Sequence, residues 1–214
     1  MFAALSNGRM VVPLNAFKRI EGRLAKAQRQ LARKTKFSAN WIKQKARISR
    51  MYTHAANARK DFLHKLSINI AKSHGVVKIE DLRVRNMSAS AKGTVENPGR
   101  NVKAKSGLNR SILDQGWGMF ATMLSYKLAA CGGELLKVEA AYTSQTCAEC
   151  GVIDRESRID QATFKCRHCG HANNADINAA RNILQARAIA VEPPKRILRR
   201  VGKRKHREGV VHAA

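Results

Sequence analysis

The sequence predicts an α/β fold, a sheet covered by helices, and three observations carry that prediction. Residues 76–80 and 134–140 are aliphatic runs that each follow a glycine and read as strands. Residues 15–33 and 39–73 repeat apolar side chains every three or four positions, the period of a helix with one buried face. Helical and strand-like segments then alternate along the rest of the chain, as in a sheet whose connections are helices.

The chain opens with two short strand-like runs, 2–6 and 10–14, joined across Asn7-Gly8. That dipeptide is a strong hairpin signal because both residues tolerate positive φ. A hairpin that opens at the first methionine reads as the middle of a sheet whose first strand is absent. In 15–33 the apolar stripe is Phe17, Ile20, Leu24, Ala27 and Leu31. In 39–73 it is Ile48, Tyr52, Ala55, Phe62, Leu66 and Ile70. Lys34-Thr35-Lys36-Phe37-Ser38 supplies the turn, which makes 15–73 an antiparallel helical hairpin. Residues 83–107 are polar, basic and aperiodic, and are expected to form a long loop. Ser111-Ile112-Leu113-Asp114 has the form of a capping box that opens a helix running to about Ala130, where Gly132-Gly133 stops it. A last helix is expected over 173–190. The tail, 191–214, holds eight Lys/Arg between Lys195 and Arg207 and is expected to be a flexible basic arm.

Charge narrows the partners. There are 41 Lys/Arg against 15 Asp/Glu, a net charge of +26 and a pI near 10.8. Such a surface repels itself unless a polyanion neutralises it, and nucleic acid is the expected polyanion because each paired phosphate releases a counterion. The hairpin concentrates the effect, with fourteen Lys/Arg and one Glu between Leu14 and Lys60. Hydrophobic residues make up 44% of the chain, enough for a core, but aromatics only 5%, so Leu, Ile, Val and Ala must fill it. No run approaches the roughly 18 apolar residues of a membrane span. The first residues lack the basic and apolar regions of a signal peptide, so a cytoplasmic location is expected.

Cys147-Ala148-Glu149-Cys150 and Cys166-Arg167-His168-Cys169 are two CxxC knuckles 15 residues apart. Each places two thiols on one tight turn, and two knuckles complete a tetrahedral sulfur shell for a structural zinc. Gly151 and Gly170 follow the knuckles, where the turn needs positive φ. Two disulfides or a redox CxxC are the competing readings, and a reducing compartment disfavours them. Cys131 stands apart and is expected in the core, and four cysteines suffice without His168 or His171. The expected organisation is therefore a sheet-bearing part over 1–140, a zinc ribbon over 141–172, the final helix over 173–190 and the tail.

Two acids are the candidates for hard-metal chemistry. Glu80 ends a strand, and Asp176 lies where the last helix begins. Mg²⁺ prefers carboxylate oxygens together with substrate phosphate. An arginine partner for Glu80 and a helix N-terminus for Asp176 are the competing explanations.

Several segments resemble one family. Ile79-Glu80-Asp81-Leu82 resembles the second RuvC-like motif of the OrfB/TnpB proteins of bacterial insertion sequences, and Asp176-Ile177-Asn178-Ala179-Ala180-Arg181-Asn182-Ile183 resembles their third. Arg59-Lys60-Asp61-Phe62-Leu63-His64-Lys65-Leu66, Gln115-Gly116-Trp117-Gly118-Met119-Phe120 and Tyr142-Thr143-Ser144-Gln145-Thr146-Cys147 are similar too, so the likeness extends to about Ala188. It implies a RuvC-like (RNase H-like) sheet with a helical hairpin insertion and an inserted four-cysteine zinc ribbon. It also implies a transposon-encoded, RNA-guided DNA endonuclease whose partners are DNA and guide RNA. Three carboxylates of the family hold two Mg²⁺ ions; carried over, Glu80 is the second and Asp176 the third. By strand alternation Asp81 is expected on the opposite face from Glu80. Arg181 is placed to approach a phosphate.

The family's first acid, in a Gly-Ile-Asp-like motif, has no counterpart among these residues, and Phe2-Ala3-Ala4-Leu5-Ser6-Asn7-Gly8 resembles the segment just downstream of it. The expectation is thus an N-terminally truncated member whose sheet lacks its first strand and whose catalysis is in question. A nuclease-dead nucleic-acid-binding protein, such as an RNA-guided repressor, or an inert transposon remnant is the alternative. A ribosomal-type zinc-ribbon protein is a third reading, which accounts for the charge but not for the acidic motifs.

Overall fold

A computed structural model describes residues 1–139 and 141–187, with the backbone of 189–190. The expected tail, 191–214, and the end of the expected strand at Ala140 lie outside the described residues.

The opening hairpin pairs β1 (Ala3–Ala4) with β2 (Met10–Val11), Ala3 opposite Val11. Leu5 and Arg9 close the loop through Leu5 N–H to the Arg9 carbonyl at 2.9 Å, and the Gly8 amide returns to the Leu5 carbonyl at 3.0 Å. The loop is thus Ser6-Asn7-Gly8, three residues instead of two, and the hairpin is a separate two-stranded sheet.

Helices α1 (Ala16–Ala32) and α2 (Ala39–Ser73) form the antiparallel hairpin the periodicity predicts. Small residues let the helices meet: Ala16, Ile20 and Ala55 make one buried cluster, and Leu24, Ala27 and Ile48 the next. Ser38 caps α2 by accepting from the Trp41 amide at 3.2 Å. Tyr52, expected on the buried face, is 44% exposed and lies flat against Phe17, with ring centroids 6.1 Å apart. The half of α2 beyond Ala58 turns a different face inward, burying Leu63, Leu66 and Ala71.

Strand β3 (Val76–Glu80) runs parallel to β4 (Glu134–Val138), with Glu80 opposite Val138. The crossover between them holds α3 (Val84–Met87), α4 (Val102–Gln115) and α5 (Trp117–Ala130). Two expectations fail here. Residues 83–107 are not one loop, because α4 begins at Val102, and Ser111–Asp114 lie in its last turns and do not open a helix. α4 buries only Ile112 and Asp114, so it carries almost no apolar stripe to reveal it. Its break from α5 is at Gly116, φ +74°, where a Cβ would also come within 3.1 Å of Leu63 Cδ1 and 3.2 Å of Arg59 Cδ. The conformation favours glycine, and a Cβ there would press on both side chains.

Asp114 serves a different helix from the one expected. Its buried carboxylate accepts from the Phe17 amide at 3.0 Å through each oxygen and from the Lys18 amide at 3.4 Å, so it caps the N-terminus of α1. α1 otherwise starts at Asn15 without a side-chain cap of its own. Arg59 Nη2 lies 3.6 Å from the same carboxylate.

The main core joins these pieces. Phe2 and Val11 of the hairpin pack with Leu63 and Leu66 of α2, Phe120, Leu124 and Leu128 of α5, and Leu135 of β4. Phe2 is gripped edge-on by Phe62 and Phe120, at 5.5 and 5.2 Å between centroids. After the cysteine module, α6 (Ala175–Gln185) ends earlier than the expected 190, and β7 (Ile189–Ala190) adds antiparallel to β4. Cys131 is exposed just past α5 and not in the core. Among the described residues no helix is long and apolar enough to cross a membrane.

Candidate functional site

The two cysteine knuckles have the same hydrogen bonding. The Cys147 amide donates to Val152 at 2.9 Å and the Cys166 amide to His171 at 2.8 Å; Gly151 returns to Cys147 at 2.9 Å and Gly170 to Cys166 at 3.0 Å. Gly151 and Gly170 take φ of +74° and +76°, and a Cβ at either would meet nothing within 4 Å. Their requirement is therefore conformational and not steric. Strands β5 (Thr163–Lys165) and β6 (Ala172–Asn174) back the second knuckle, and Phe164, fully buried with Cys147, Cys166 and Ala175, fills the small core.

The four sulfurs of Cys147, Cys150, Cys166 and Cys169 lie within 4.8 Å of one another, a set that can hold a metal ion. All four thiols are free; Cys147 to Cys169 and Cys150 to Cys166 cross from one knuckle to the other, each at 3.7 Å. That is far beyond an S–S bond of about 2.05 Å, so the disulfide readings do not describe this arrangement. The Cys169 amide, with that of His168, holds the Cys166 thiol down to about 6. Cys169 accepts from the His171 amide, yet burial and the neighbouring sulfurs push it up to about 12. The geometry of the cluster suits a cation.

Two asparagines fasten this cluster to α6. Asn178, fully buried, donates to the Thr146 carbonyl at 2.7 Å and accepts from the Ala148 amide at 2.9 Å, bracketing Cys147. Asn182, one turn on, donates to Thr143 and Thr146 at 2.9 and 2.6 Å. Asparagine is a poor helix former, so a pair four apart in a helix is a legible signal of such a tertiary role. Asn174 caps α6, accepting from the Asp176 and Ile177 amides at 3.0 and 3.3 Å.

Glu80 ends β3 in a hollow of about 270 Å³ lined also by Asp81, Trp117, Ser125 and Lys137. Burial raises its carboxyl above the usual glutamate range, and among the described residues it forms no ion pair. Asp81 lines the same hollow, against the expectation that it would face away. It lies just past the strand, where the alternation ends, and its carboxylate pairs with Lys137 at 2.7 Å. Nothing in the sequence singles out Lys137, because one lysine in a basic chain carries no signal. Asp176 is not among the side chains lining the hollow; its carboxylate is 3.9 Å from Arg158 Nη2. Arg181 is half-buried on α6.

The raised carboxyl has a measurable consequence. Glu80 binds its proton more tightly folded than unfolded, so its ionisation removes stability as pH rises through the folded value. In magnesium-free protein Glu80→Gln should therefore raise the urea midpoint at neutral pH and leave it little changed below about pH 4, where unfolded glutamate is itself protonated. An equal effect at both values would assign the change to packing and not to charge.

The fold and the site define a basic α/β protein with a four-cysteine cluster that could hold a metal ion and, on β3, a partly buried acid. Two family models match the chain: OrfB_IS605, described as "Probable transposase", over residues 1–91, and "Cas12f1-like, TNB domain" over 117–183. The chain belongs to the OrfB/TnpB family. It is 54% identical over 184 residues to InsQ of Escherichia coli (strain K12), by its name a candidate RNA-guided DNA endonuclease, covering 86% of this chain and 46% of that protein. A Streptomyces pristinaespiralis relative of the same description is 36% identical over 85% of this chain and 42% of its own length. The chain thus spans somewhat under half the length of these relatives. Its fold matches a chain in the cryo-EM structure of the Cas12f1-sgRNA-target DNA complex with a TM-score of 0.51 and 24% identity, over 79% of this chain and 41% of that one.

Proposed function

We propose that this chain provides the ribbon-bearing part of a transposon-encoded, divalent-metal-dependent DNA endonuclease that is guided by RNA and works in the cytoplasm. The observation that carries the reading is the 54% identity to InsQ across 86% of the chain, in which the half-buried Glu80 ends a strand that pairs in parallel with β4. This pairing is the ground for a RuvC-like sheet, with the ribbon over 141–172 as a module inserted between β4 and α6.

The ribbon's metal is zinc. Four sulfurs each about 2.3 Å from one ion in a tetrahedron sit about 3.8 Å apart, close to the 3.7 Å between Cys147 and Cys169 and between Cys150 and Cys166. With every position taken by protein, such an ion is structural. The Glu80 carboxylate, partly buried and without an ion pair among the described residues, suits a hard cation. By the family resemblance Asp176, which lies outside the hollow that Glu80 lines, would be the second oxygen ligand. Magnesium there would polarise a phosphodiester and activate water. Glu80 and Asp176 would hold it, and Lys137 keeps Asp81 neutralised beside them.

By the resemblance these residues hold two of the family's three carboxylates, Glu80 and Asp176, so the purified chain with Mg²⁺ should bind DNA and leave it uncut. Strong Mg²⁺-dependent cutting by this chain, abolished by Glu80→Ala, would refute that. Joining the chain in one polypeptide to the part of InsQ that it does not cover should bring cleavage, and Glu80→Gln should then remove it. Persistent cleavage in the Gln variant would remove Glu80 from the site.

A further inference from the structure

The connection between α1 and α2 is built unlike an ordinary helical turn. Phe37 lies in it at φ +66° and is 79% exposed. A bulky aromatic in the left-handed region is unusual; of the other non-glycine residues that take it, Asn15 and Asn101 are asparagines and Tyr142, at φ +61°, is the one other aromatic among the described residues. Exposure and backbone strain both cost stability at Phe37, and neither is offset by packing into a core.

The turn is nevertheless ordered. Ser38 hydrogen-bonds back to the Thr35 carbonyl at 2.8 Å while capping α2, and the Phe37 ring rests against Trp41 with centroids 5.5 Å apart. The Lys45 ammonium sits 5.0 Å from the Trp41 ring centroid, and Ile42 is 56% exposed alongside. A rigid aromatic edge is therefore held at the end of a hairpin that extends about 26 Å, the length of α1's 17 residues at helical rise.

The surroundings are of a single sign. From Gly22 to Lys60 there are 12 Lys/Arg and no acid, and Arg33, Lys36, Lys43, Lys45 and Arg47 ring the tip with their side chains exposed. The apolar area is small and rimmed only by cations, which suits a ligand that alternates a flat apolar ring with a negative charge. An unpaired nucleotide has that composition, whereas a duplex hides the faces of its bases.

We propose that the α1–α2 tip is a single-strand-binding site, in which an unpaired base stacks on Phe37, braced by Trp41, while flanking phosphates run along Lys36, Lys45 and their neighbours. This rests on the reading of the chain as a nucleic-acid-binding protein and adds to it the segment and the mode of binding.

The test uses the full, metal-loaded chain and fluorescence anisotropy with labelled oligothymidylate, oligouridylate and a DNA duplex. Phe37→Ala should weaken single-strand binding about 10-fold, leave duplex binding unchanged and preserve the salt dependence. Phe37→Trp should restore it. Removing Lys36 or Lys45 should instead lower the slope of log affinity against log salt by about 0.7 for each phosphate no longer neutralised. All Phe37 variants share the same exposed, positive-φ position, so helical circular dichroism should be unaltered. The larger Phe37 effect of the two single strands names DNA or RNA as the ligand. Single-strand affinity within 2-fold of the parent in Phe37→Ala, or an equal loss on the duplex, overturns the stacking proposal while the nucleic-acid reading stands. Binding to none of the three refutes both. Phe37-dependent binding to anionic phospholipid vesicles, with none to oligonucleotides, would assign the tip to a membrane surface instead.

Discussion

Cys147→Ser should reduce bound zinc from one ion per chain to almost none and release the segment from Thr143 to Gln185 from protection against hydrogen exchange. The size of the effect follows from what the ribbon lacks. Its own core is Phe164, Ala175 and the two inner cysteines, too little apolar surface to hold a fold without the ion. Structural zinc contributes on the order of 10 kcal/mol in small modules because no preformed site exists in the unfolded chain. The loss should spread beyond the knuckle. Asn178 and Asn182 hold α6 by bonds to Thr146, Ala148 and Thr143, and these backbone groups keep their positions only while the first knuckle is closed. Chelation of the unmutated protein should give the same pattern, and acidification should promote it, since protons compete for every thiolate and the Cys169 thiol is already pushed up to about 12. Cys131→Ser is the control: Cys131 is exposed and lies outside the sulfur cluster, so its loss should leave the zinc in place. One zinc per chain retained in Cys147→Ser would rule out the four-cysteine site.

The ribbon and the helical hairpin were legible in the sequence because each depends on local rules. A CxxC knuckle is written in its spacing and its following glycine. The hairpin is written in a stripe of period 3.6 and in the turn over 34–38, and the expected span of the second helix, 39–73, is that of α2. The carboxylates were legible only as candidates, through a resemblance, because nothing local in Ile79-Glu80-Asp81-Leu82 says how deeply Glu80 is buried. Strand alternation misplaced Asp81, since β3 stops at Glu80 and the chain turns there. α4 escaped because helices that bury two side chains leave no periodic mark, and Asp114 was assigned to its own helix because capping rules see only neighbours. Its real partner, Phe17, is 97 residues away. Long-range polar contacts of this kind are where sequence patterns fall silent and where single substitutions are costly.

Asp114→Ala should destabilise the metal-loaded chain by about 3 kcal/mol, between the roughly 0.5–2 kcal/mol of a lost N-cap and the roughly 3–5 kcal/mol of a broken buried pair. Two effects contribute, and distance decides their order. The carboxylate accepts the Phe17 amide at 3.0 Å through both oxygens, whereas Arg59 Nη2 is 3.6 Å away with 23% of its side chain exposed. The cap is therefore the stronger interaction, and solvent near the guanidinium keeps the ion pair below a fully buried one. Alanine leaves the Phe17 amide at the start of α1 without an acceptor, and it leaves Arg59, whose Nε is already buried without a partner, less compensated still. Asp114→Asn separates the two contributions. It keeps one acceptor for Phe17 but removes the charge that faces Arg59 and the positive end of α1, so it should cost about 1 kcal/mol. Urea unfolding measures both, as a fall in midpoint at constant slope. Since α1 packs on α2 through Ala16, Ile20 and Ala55, the loss should be felt first as fraying at the start of α1, visible as faster exchange of its Phe17 and Lys18 amides. An alanine variant within about 0.5 kcal/mol of the parent would mean that water caps the helix equally well, and that Asp114 does not hold the hairpin to the body of the protein.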